Sequence, residues 1–379
     1  MTNQKKAGII TFHAAHNCGS ILQAYALQEV LRQKLELDAE IIDFVNEGQR
    51  QVYAVIRPIK SLRDVAVNAS RLLLMPKLLG NKKSYEGFIK NHLKLSPNSY
   101  GALSDLEQDP PLYDYYVSGS DQVWNVTIAD SDEAYFLPFI HDKPKIAYAV
   151  SQGAKDIGMY AKDPAVYQQY IKDYSAVSVR ENNGQSWIET LTGLKPEVTL
   201  DPTLLLGKGD YTVLEEPDEL DLNPGEYIFV YASPFEAGFE RIVQQVSERY
   251  DLPIVVWHPN IWFKTRGALK GYKMPKEQNP GKYLHLIKNA KLVFTASFHG
   301  VIFSTIYEKD FWIFRNEGMK GVDDRIRTLV DESGLSDRFI DDNFDTTHAL
   351  DPVDYSTHRK RLTKDREGSM RFLTSALKK

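Results

Sequence analysis

His299 is the residue best suited to acid–base chemistry, because it begins an apolar-periodic segment directly after a short apolar run at residues 292–294. This pattern predicts a buried strand that leads into a helix through a tight turn. Ser297 is placed as the N-cap, and Gly300 would let the backbone approach a ligand. The first N–H groups of such a helix attract an anion, and an imidazole beside that anion can stay protonated near neutral pH. A histidine with a purely structural role at the helix start is the alternative.

Arg180 is a second candidate, because it follows the apolar strand predicted at residues 176–179. A positive charge at that position needs an anion or an acid nearby. The planar guanidinium can hold a phosphate or carboxylate through two parallel hydrogen bonds. A structural ion pair with Glu181 or another neighbour explains the same spacing, and the sequence leaves both interpretations open.

Further cations follow the strand predicted at residues 311–314, where Lys320 and Arg325 lie in or just after a glycine-containing loop. Either could reach a bound anion, and a solvated loop is the alternative. Two polar turns, one after the strand predicted at residues 7–12 and one after the strand predicted at residues 113–117, could also face a ligand. They contain the candidate binding residues Asn17, Gly19, Ser118, Gly119, Ser120, Asp121 and Gln122.

Other chemistry has little support in the sequence. Cys18 is the only cysteine and has no signature of a nucleophile. His13 and His16 have no carboxylates at ligand spacing, so no metal site is predicted. The phosphate-binding, dinucleotide-binding, serine-hydrolase and zinc-protease motifs are missing from the sequence.

Composition predicts an ordinary globular protein of two domains. The chain has 379 residues, 26% of them charged, and a net charge of −5. It contains no basic block, which argues against nucleic acid as a partner. One cysteine, no signal peptide and no long apolar run predict a cytoplasmic protein, with contact to the inner face of the membrane left open.

Strands and helices alternate along the chain, and several strands end in small polar residues. This pattern predicts an α/β fold with parallel sheets whose carboxyl edges carry those turns. We predict an N-terminal domain over residues 1–200, a second domain over 201–350, and a C-terminal helix within 351–379 that packs back on the first domain.

Five strings resemble the polysaccharide pyruvyl transferase family in their order and spacing. They are NCGSILQAYALQ (17–28), GSDQVWN (119–125), SVRE (178–181), DPTLLL (201–206) and SFHGVIFS (297–304). The resemblance extends over about residues 8 to 340. It implies two Rossmann-like domains that face each other across a cleft, as in GT-B glycosyltransferases, with the active site between them.

The resemblance also implies an activity, namely transfer of the enolpyruvyl group of phosphoenolpyruvate onto two hydroxyls of a sugar in bacterial surface polysaccharide biosynthesis. It makes His299, Arg180 and Lys320 the expected catalytic residues. Ser297, Phe298, Gly300, Arg325, Glu181 and the residues of the two polar turns would contact substrate. The expected partners are phosphoenolpyruvate and a sugar or lipid-linked oligosaccharide, with neither a metal nor a further cofactor. A GT-B-type glycosyltransferase with a nucleotide-sugar donor is the alternative function.

Overall fold

A computed structural model of the chain describes residues 4–56, 58–59, 61–233, 235–315, 324–331, 333–340 and 343–378. The chain divides into two compact units. Unit 1 is Met1–Leu206 with Lys364–Lys379, and unit 2 is Gly207–Thr363. The first boundary thus falls at residue 206, where the sequence analysis placed it at 200. The reason is that the 3₁₀ turn Pro202–Leu205 packs on the helix Cys18–Glu29 of unit 1.

Unit 1 is built on a parallel sheet, as the alternating pattern predicted. Its seven described strands have the spatial order β3-β2-β1-β4-β5-β6-β7. In chain order they are β1 (Lys6–Ile10), β2 (Asp38–Phe44), β3 (Leu95–Tyr100), β4 (Tyr115–Ser118), β5 (Lys145–Val150), β6 (Ala176–Val179) and β7 (Glu197–Val198).

The helices of unit 1 lie mostly between consecutive strands. They are α1 (Cys18–Glu29), α2 (Glu47–Tyr53), α3 (Leu62–Leu73), α4 (Met75–His92), α5 (Leu103–Gln108), α6 (Ile157–Tyr160), α7 (Pro164–Lys172) and α8 (Asn182–Thr192). Residues 62–92 thus form two helices, α3 and α4, separated by Leu74. Helix α1 begins at Cys18, and its side-chain cap is the residue before it, Asn17.

Strand β3 was not predicted from the sequence. The strand LSPNSY lies at the edge of the sheet, where residues 97–99 are exposed. An edge strand pairs on one side only, so it tolerates proline and polar residues that a central strand excludes. The strand Phe339–Ile340 at the edge of the second sheet was also not predicted, because two residues are too few to show a periodic pattern.

Unit 2 contains a second parallel sheet, whose described strands have the order β12-β11-β10-β8-β9. These are β8 (Ile228–Tyr231), β9 (Ile254–Val256), β10 (Leu292–Thr295), β11 (Phe311–Phe314) and β12 (Phe339–Ile340). The helices are α9 (Lys208–Tyr211), α10 (Ala237–Tyr250), α11 (Pro259–Lys264), α12 (Pro280–Asn289), α13 (Phe298–Ile306) and α14 (Asp324–Asp331). The last helix, α15 (Ser356–Ala376), begins in unit 2 and continues into unit 1.

The strand order of each sheet identifies an edge where ligands bind in α/β proteins. In unit 1 the chain order reverses between β1 and β4, and in unit 2 it reverses between β8 and β10. Ligands of open parallel sheets occupy the crevice at the carboxyl ends of strands at such reversals. Helix α13 begins shortly after β10, which brings His299 to the reversal point of unit 2.

The C-terminal helix packs back on the first domain, as predicted. Arg366 donates hydrogen bonds to the carbonyls of Leu204 and Leu206, and the Ser369 hydroxyl accepts from the N–H of Leu200 at 3.0 Å. All of these residues belong to unit 1. None of the helices in the described ranges is long and apolar enough to cross a bilayer.

Candidate active site

The turn between β10 and α13 is held by Thr295. Its hydroxyl donates to the carbonyl of Tyr231 on the neighbouring strand at 2.7 Å and accepts from the N–H of Ser297 at 3.0 Å. Ser297 occupies the N-cap position of α13 with an extended backbone, as predicted. Within the described part of the chain, its hydroxyl makes no capping hydrogen bond. The two hydrogen bonds of Thr295 thus hold the turn.

His299 lies in the first turn of α13, and 8% of its surface is exposed. The Tyr283 hydroxyl of α12 donates to the backbone carbonyl of His299 at 3.2 Å. The ring of Phe298 meets the imidazole edge-on, with centroids 5.3 Å apart. The backbone of His299 is therefore held by α12, and its imidazole is bordered by an aromatic ring.

Arg325 of α14 brings a positive charge to this helix start. Its guanidinium lies 5.7 Å from the centroid of the Phe298 ring, within the range of a cation–π contact. Arg325, Phe298 and His299 thus belong to one cluster in unit 2. Lys320, the other predicted cation, lies outside the described residues.

Gly300 packs against the Thr295 side chain. A Cβ on Gly300 would lie 2.0 Å from Thr295 Oγ1 and 3.1 Å from Tyr231 Cδ1. The absence of a side chain therefore lets α13 approach β10 closely. Close approach of a ligand to Gly300, which the sequence suggested, stays a prediction.

Replacement of Gly300 by alanine is expected to destabilise the protein by about 1–3 kcal/mol, because the added methyl group must displace the side chain that holds the turn. The measurement is the free energy of unfolding in urea. Gly87→Ala is the matched control, since Gly87 lies inside helix α4 and a Cβ there meets nothing within 4 Å. That variant should be neutral or more stable by up to about 1 kcal/mol. Equal stability of the two variants would contradict this role of Gly300.

His258 lies close to the same turn and was not singled out in the sequence. Its ring stacks on that of Tyr231, with centroids 5.2 Å apart and planes inclined by 20°. Desolvation lowers the pKa of His258 to about 4, although part of its surface stays accessible. The imidazole is therefore neutral at pH 7. The one feature of the sequence that could have identified His258 as a candidate is its position just after strand β9.

Arg180 lies in unit 1 among carboxylates. Its guanidinium is 2.7 Å from an Asp201 oxygen, 3.7 Å from Glu181 and 3.8 Å from Asp121, and its side chain is 2% exposed. The ion pair that the sequence left open is therefore present. Asp121 also accepts a hydrogen bond from the Ser20 hydroxyl at 2.6 Å. Contact of Arg180 or Glu181 with substrate stays a prediction.

The predicted binding residues at the end of β4 and in the turn after it make hydrogen bonds within unit 1. Ser118 donates to the Tyr135 carbonyl at 2.6 Å, and Ser120 donates to the Ala149 carbonyl at 2.7 Å. Gly119 has a φ of 117°, and a Cβ there would lie 2.2 Å from the Tyr148 carbonyl oxygen. These residues shape the turn, and their contact with substrate stays a prediction.

Three further candidates of unit 1 also make internal contacts. Asn17 caps α1 by accepting from the N–H of Gly19 at 2.9 Å, and the Gln122 side chain accepts from Asn125 at 2.9 Å. Cys18 is fully buried beside the Tyr85 hydroxyl, and burial raises the pKa of its thiol. A buried thiol of raised pKa makes a poor nucleophile. Among the residues that the structure describes, no group of three or more histidine, cysteine or acidic side chains could hold a metal ion.

The comparison with protein families identifies the chain. The sequence model described as Polysaccharide pyruvyl transferase matches residues 17–318. The chain belongs to the polysaccharide pyruvyl transferase family. The part of the chain that matches this family of transferases includes Arg180 and His299 and ends before Arg325. A search of curated proteins finds no significant match.

The comparison with solved structures concerns the fold. UDP-GlcNAc 2-epimerase of Methanocaldococcus jannaschii, in complex with UDP-GlcNAc and UDP, is 13% identical with a TM-score of 0.50, covering 98% of this chain and 99% of that chain. A second UDP-N-acetylglucosamine 2-epimerase is 12% identical with a TM-score of 0.50, covering 100% of this chain and 96% of that chain. The GT-B-like α/β class predicted from the sequence is confirmed.

Proposed function

We infer that the protein transfers the enolpyruvyl group of phosphoenolpyruvate onto two hydroxyls of a sugar, which yields a cyclic pyruvate ketal and phosphate. The observation that carries this proposal is the position of His299, in the first turn of a helix at the reversal point of the unit 2 sheet, inside the range matched by the family. A histidine at this position supports the proposal, because an imidazole can transfer a proton and the first N–H groups of a helix attract an anion.

The proposed donor fits the charges of the site. Phosphoenolpyruvate carries a phosphate and a carboxylate, and both are attracted by the N–H groups at the start of α13. The Arg325 guanidinium, held over Phe298, supplies a positive charge at the same helix end. We propose Ser297 as a further contact, because its hydroxyl is not used in capping the helix.

The proposed reaction needs two proton transfers. A proton adds to the methylene carbon of phosphoenolpyruvate and makes the central carbon electrophilic, and one sugar hydroxyl adds to that carbon. Phosphate then leaves, and the second hydroxyl closes the ring. The two sugar hydroxyls lose one proton each. One of these protons makes up for the proton that formed the methyl group, and the other leaves with phosphate or solvent. His299 is the group proposed to handle a proton, a role typically worth about 10² to 10⁴ in rate.

The proposal places the reaction in the cytoplasm, during assembly of a bacterial surface polysaccharide. The acceptor would be a sugar or a lipid-linked oligosaccharide, and the reaction requires neither a nucleic acid nor a further cofactor.

The test is phosphate release from phosphoenolpyruvate in the presence of sugars and lipid-linked oligosaccharides. We expect release that depends on the acceptor, together with an acceptor product heavier by one ketal-linked pyruvate. We also expect phosphoenolpyruvate to raise the melting temperature and UDP to leave it unchanged, because only a ligand of the native state stabilises it. Stabilisation by UDP alone, without phosphate release from any acceptor, would favour the nucleotide-sugar glycosyltransferase instead.

A further inference from the structure

Unit 1 contains a cavity of about 970 Å³ that the predicted catalytic residues do not line. Its walls are the carboxyl ends of β1 and β2, helix α2 and the segment after it, helix α4, and the start of β3. Small-molecule sites typically measure about 300–1,000 Å³. The cavity is therefore large enough for a ligand of more than one ring.

Gln49 of α2 lines this cavity and is 1% exposed. Among the described residues, neither the nitrogen nor the oxygen of its side-chain amide has a hydrogen-bond partner. Its main-chain N–H is held by the Asn46 side chain at 2.8 Å, which keeps the residue in place. A buried amide without partners costs free energy, so an amide in this state points to a ligand that supplies both a donor and an acceptor. A hydroxyl group is such a ligand.

Asp43, at the end of β2, adds an ionised acceptor to the same cavity. One of its oxygens lies 3.0 Å from His13 Nε2, and the other accepts from the Ser99 hydroxyl. The hydrogen bond from His13 keeps the pKa of Asp43 below its usual range, and Ser99 and the nearby Arg50 contribute to the same effect. The Asp43 side chain is 21% exposed, so a ligand hydroxyl can reach it.

An aromatic wall completes the cavity. The ring of His16 stacks on Tyr85, with centroids 5.5 Å apart and planes inclined by 20°, and meets Tyr53 at 5.6 Å. Burial lowers the pKa of His16, which keeps the ring neutral at pH 7. His16 and Tyr53 both line the cavity, which places two uncharged rings at its wall.

We propose that this cavity binds the acceptor sugar, with the Gln49 amide and the Asp43 carboxylate bound to hydroxyls and with His16 and Tyr53 against a ring face. The charged residues at its wall have both signs, since Arg50, Lys82 and Lys90 are present beside Asp43 and Glu86. We propose a polyhydroxyl compound and not a nucleotide, because hydroxyls can donate to the Asp43 carboxylate and to the Gln49 amide oxygen, whereas an ionised phosphate has no proton to donate. This inference deepens the proposed function, because it supplies that reaction with an acceptor site.

Sugar binding without phosphoenolpyruvate is the test. The probes are methyl glycosides of glucose, galactose, mannose and N-acetylmannosamine, observed by saturation-transfer difference NMR on the full chain. We expect at least one glycoside to bind and Gln49→Leu to weaken it by about tenfold, because the sugar then loses two hydrogen bonds. The same variant should be at least as stable as the original protein, because it removes a buried amide that lacks partners.

The control is Gln51→Leu, because Gln51 lies on the same helix but outside the cavity and bonds to Glu47 instead. This variant should bind sugar normally. His16→Ala is a second variant and should weaken the same glycoside even if Gln49→Leu folds poorly. Absence of binding by every glycoside, undiminished binding in both cavity variants, or displacement by UDP would overturn the inference. Because no phosphoenolpyruvate is present, binding that depends on Gln49 would stand even if pyruvyl transfer failed.

Discussion

Replacement of Arg180 by alanine is expected to lower the free energy of unfolding by about 3–5 kcal/mol. The reason is that Asp201, Glu181 and Asp121 surround the guanidinium and are themselves buried. Without Arg180, these carboxylates lose the positive charge that they surround in the interior. Urea unfolding monitored by tryptophan fluorescence measures the loss.

Two controls distinguish the loss of this buried ion-pair cluster from the effect of removing any arginine. Arg371→Ala should change the stability by less than about 0.5 kcal/mol, because Arg371 is exposed and lies 3.9 Å from Glu367 on the same helix. The loss in Arg180→Ala should also shrink as the pH falls. Buried carboxylates without a cation have raised pKa values, so they take up protons in the folded state and shed the charge that destabilises it.

The Arg180 variant also decides between the two roles considered from the sequence. A variant of unchanged stability that has lost phosphate release would show that the guanidinium acts on substrate and that the ion pairs contribute little. A large loss of stability that is recovered at low pH would show that Arg180 holds unit 1 together.

Replacement of His299 by glutamine is expected to lower kcat by about 10² to 10⁴-fold, the range typical for a group that transfers a proton. Stability should change little. Tyr283 bonds to the backbone carbonyl of His299, and that contact remains when the side chain changes. The measurement is the rate of phosphate release from phosphoenolpyruvate with a saturating acceptor.

The control for this variant is His348→Gln, an exposed histidine of unit 2 that pairs with Asp351 at 2.9 Å. Its activity should be unchanged. The pH profile supplies a second readout, since the limb due to the imidazole should disappear from the kcat profile only in the His299 variant. Full activity in His299→Gln would remove this residue from the mechanism.

The start of α13 could be predicted because its signals are local. A short apolar run, a small polar residue and a new periodicity lie within a dozen positions, and each follows from the backbone geometry of strand, cap and helix. The structure accordingly has a strand at Leu292–Thr295, Ser297 at the N-cap and the helix Phe298–Ile306. The role of Thr295 could not be predicted, because its hydrogen bond to Tyr231 joins two strands that are distant in the chain.

Residues distant in the chain decided the rest of the candidate site. The spacing of Arg180 was compatible with an anion site or an ion pair, and only the folded chain brings Asp121 and Asp201 beside it. The cavity that Gln49 lines has no local signature in the sequence. Helices α2 and α4 enclose it together with the edge strand β3, and the polar sequence of β3 gives no periodic signal. Periodicity reports which face of an element is buried, whereas charge pairing and cavity shape depend on which elements meet in space.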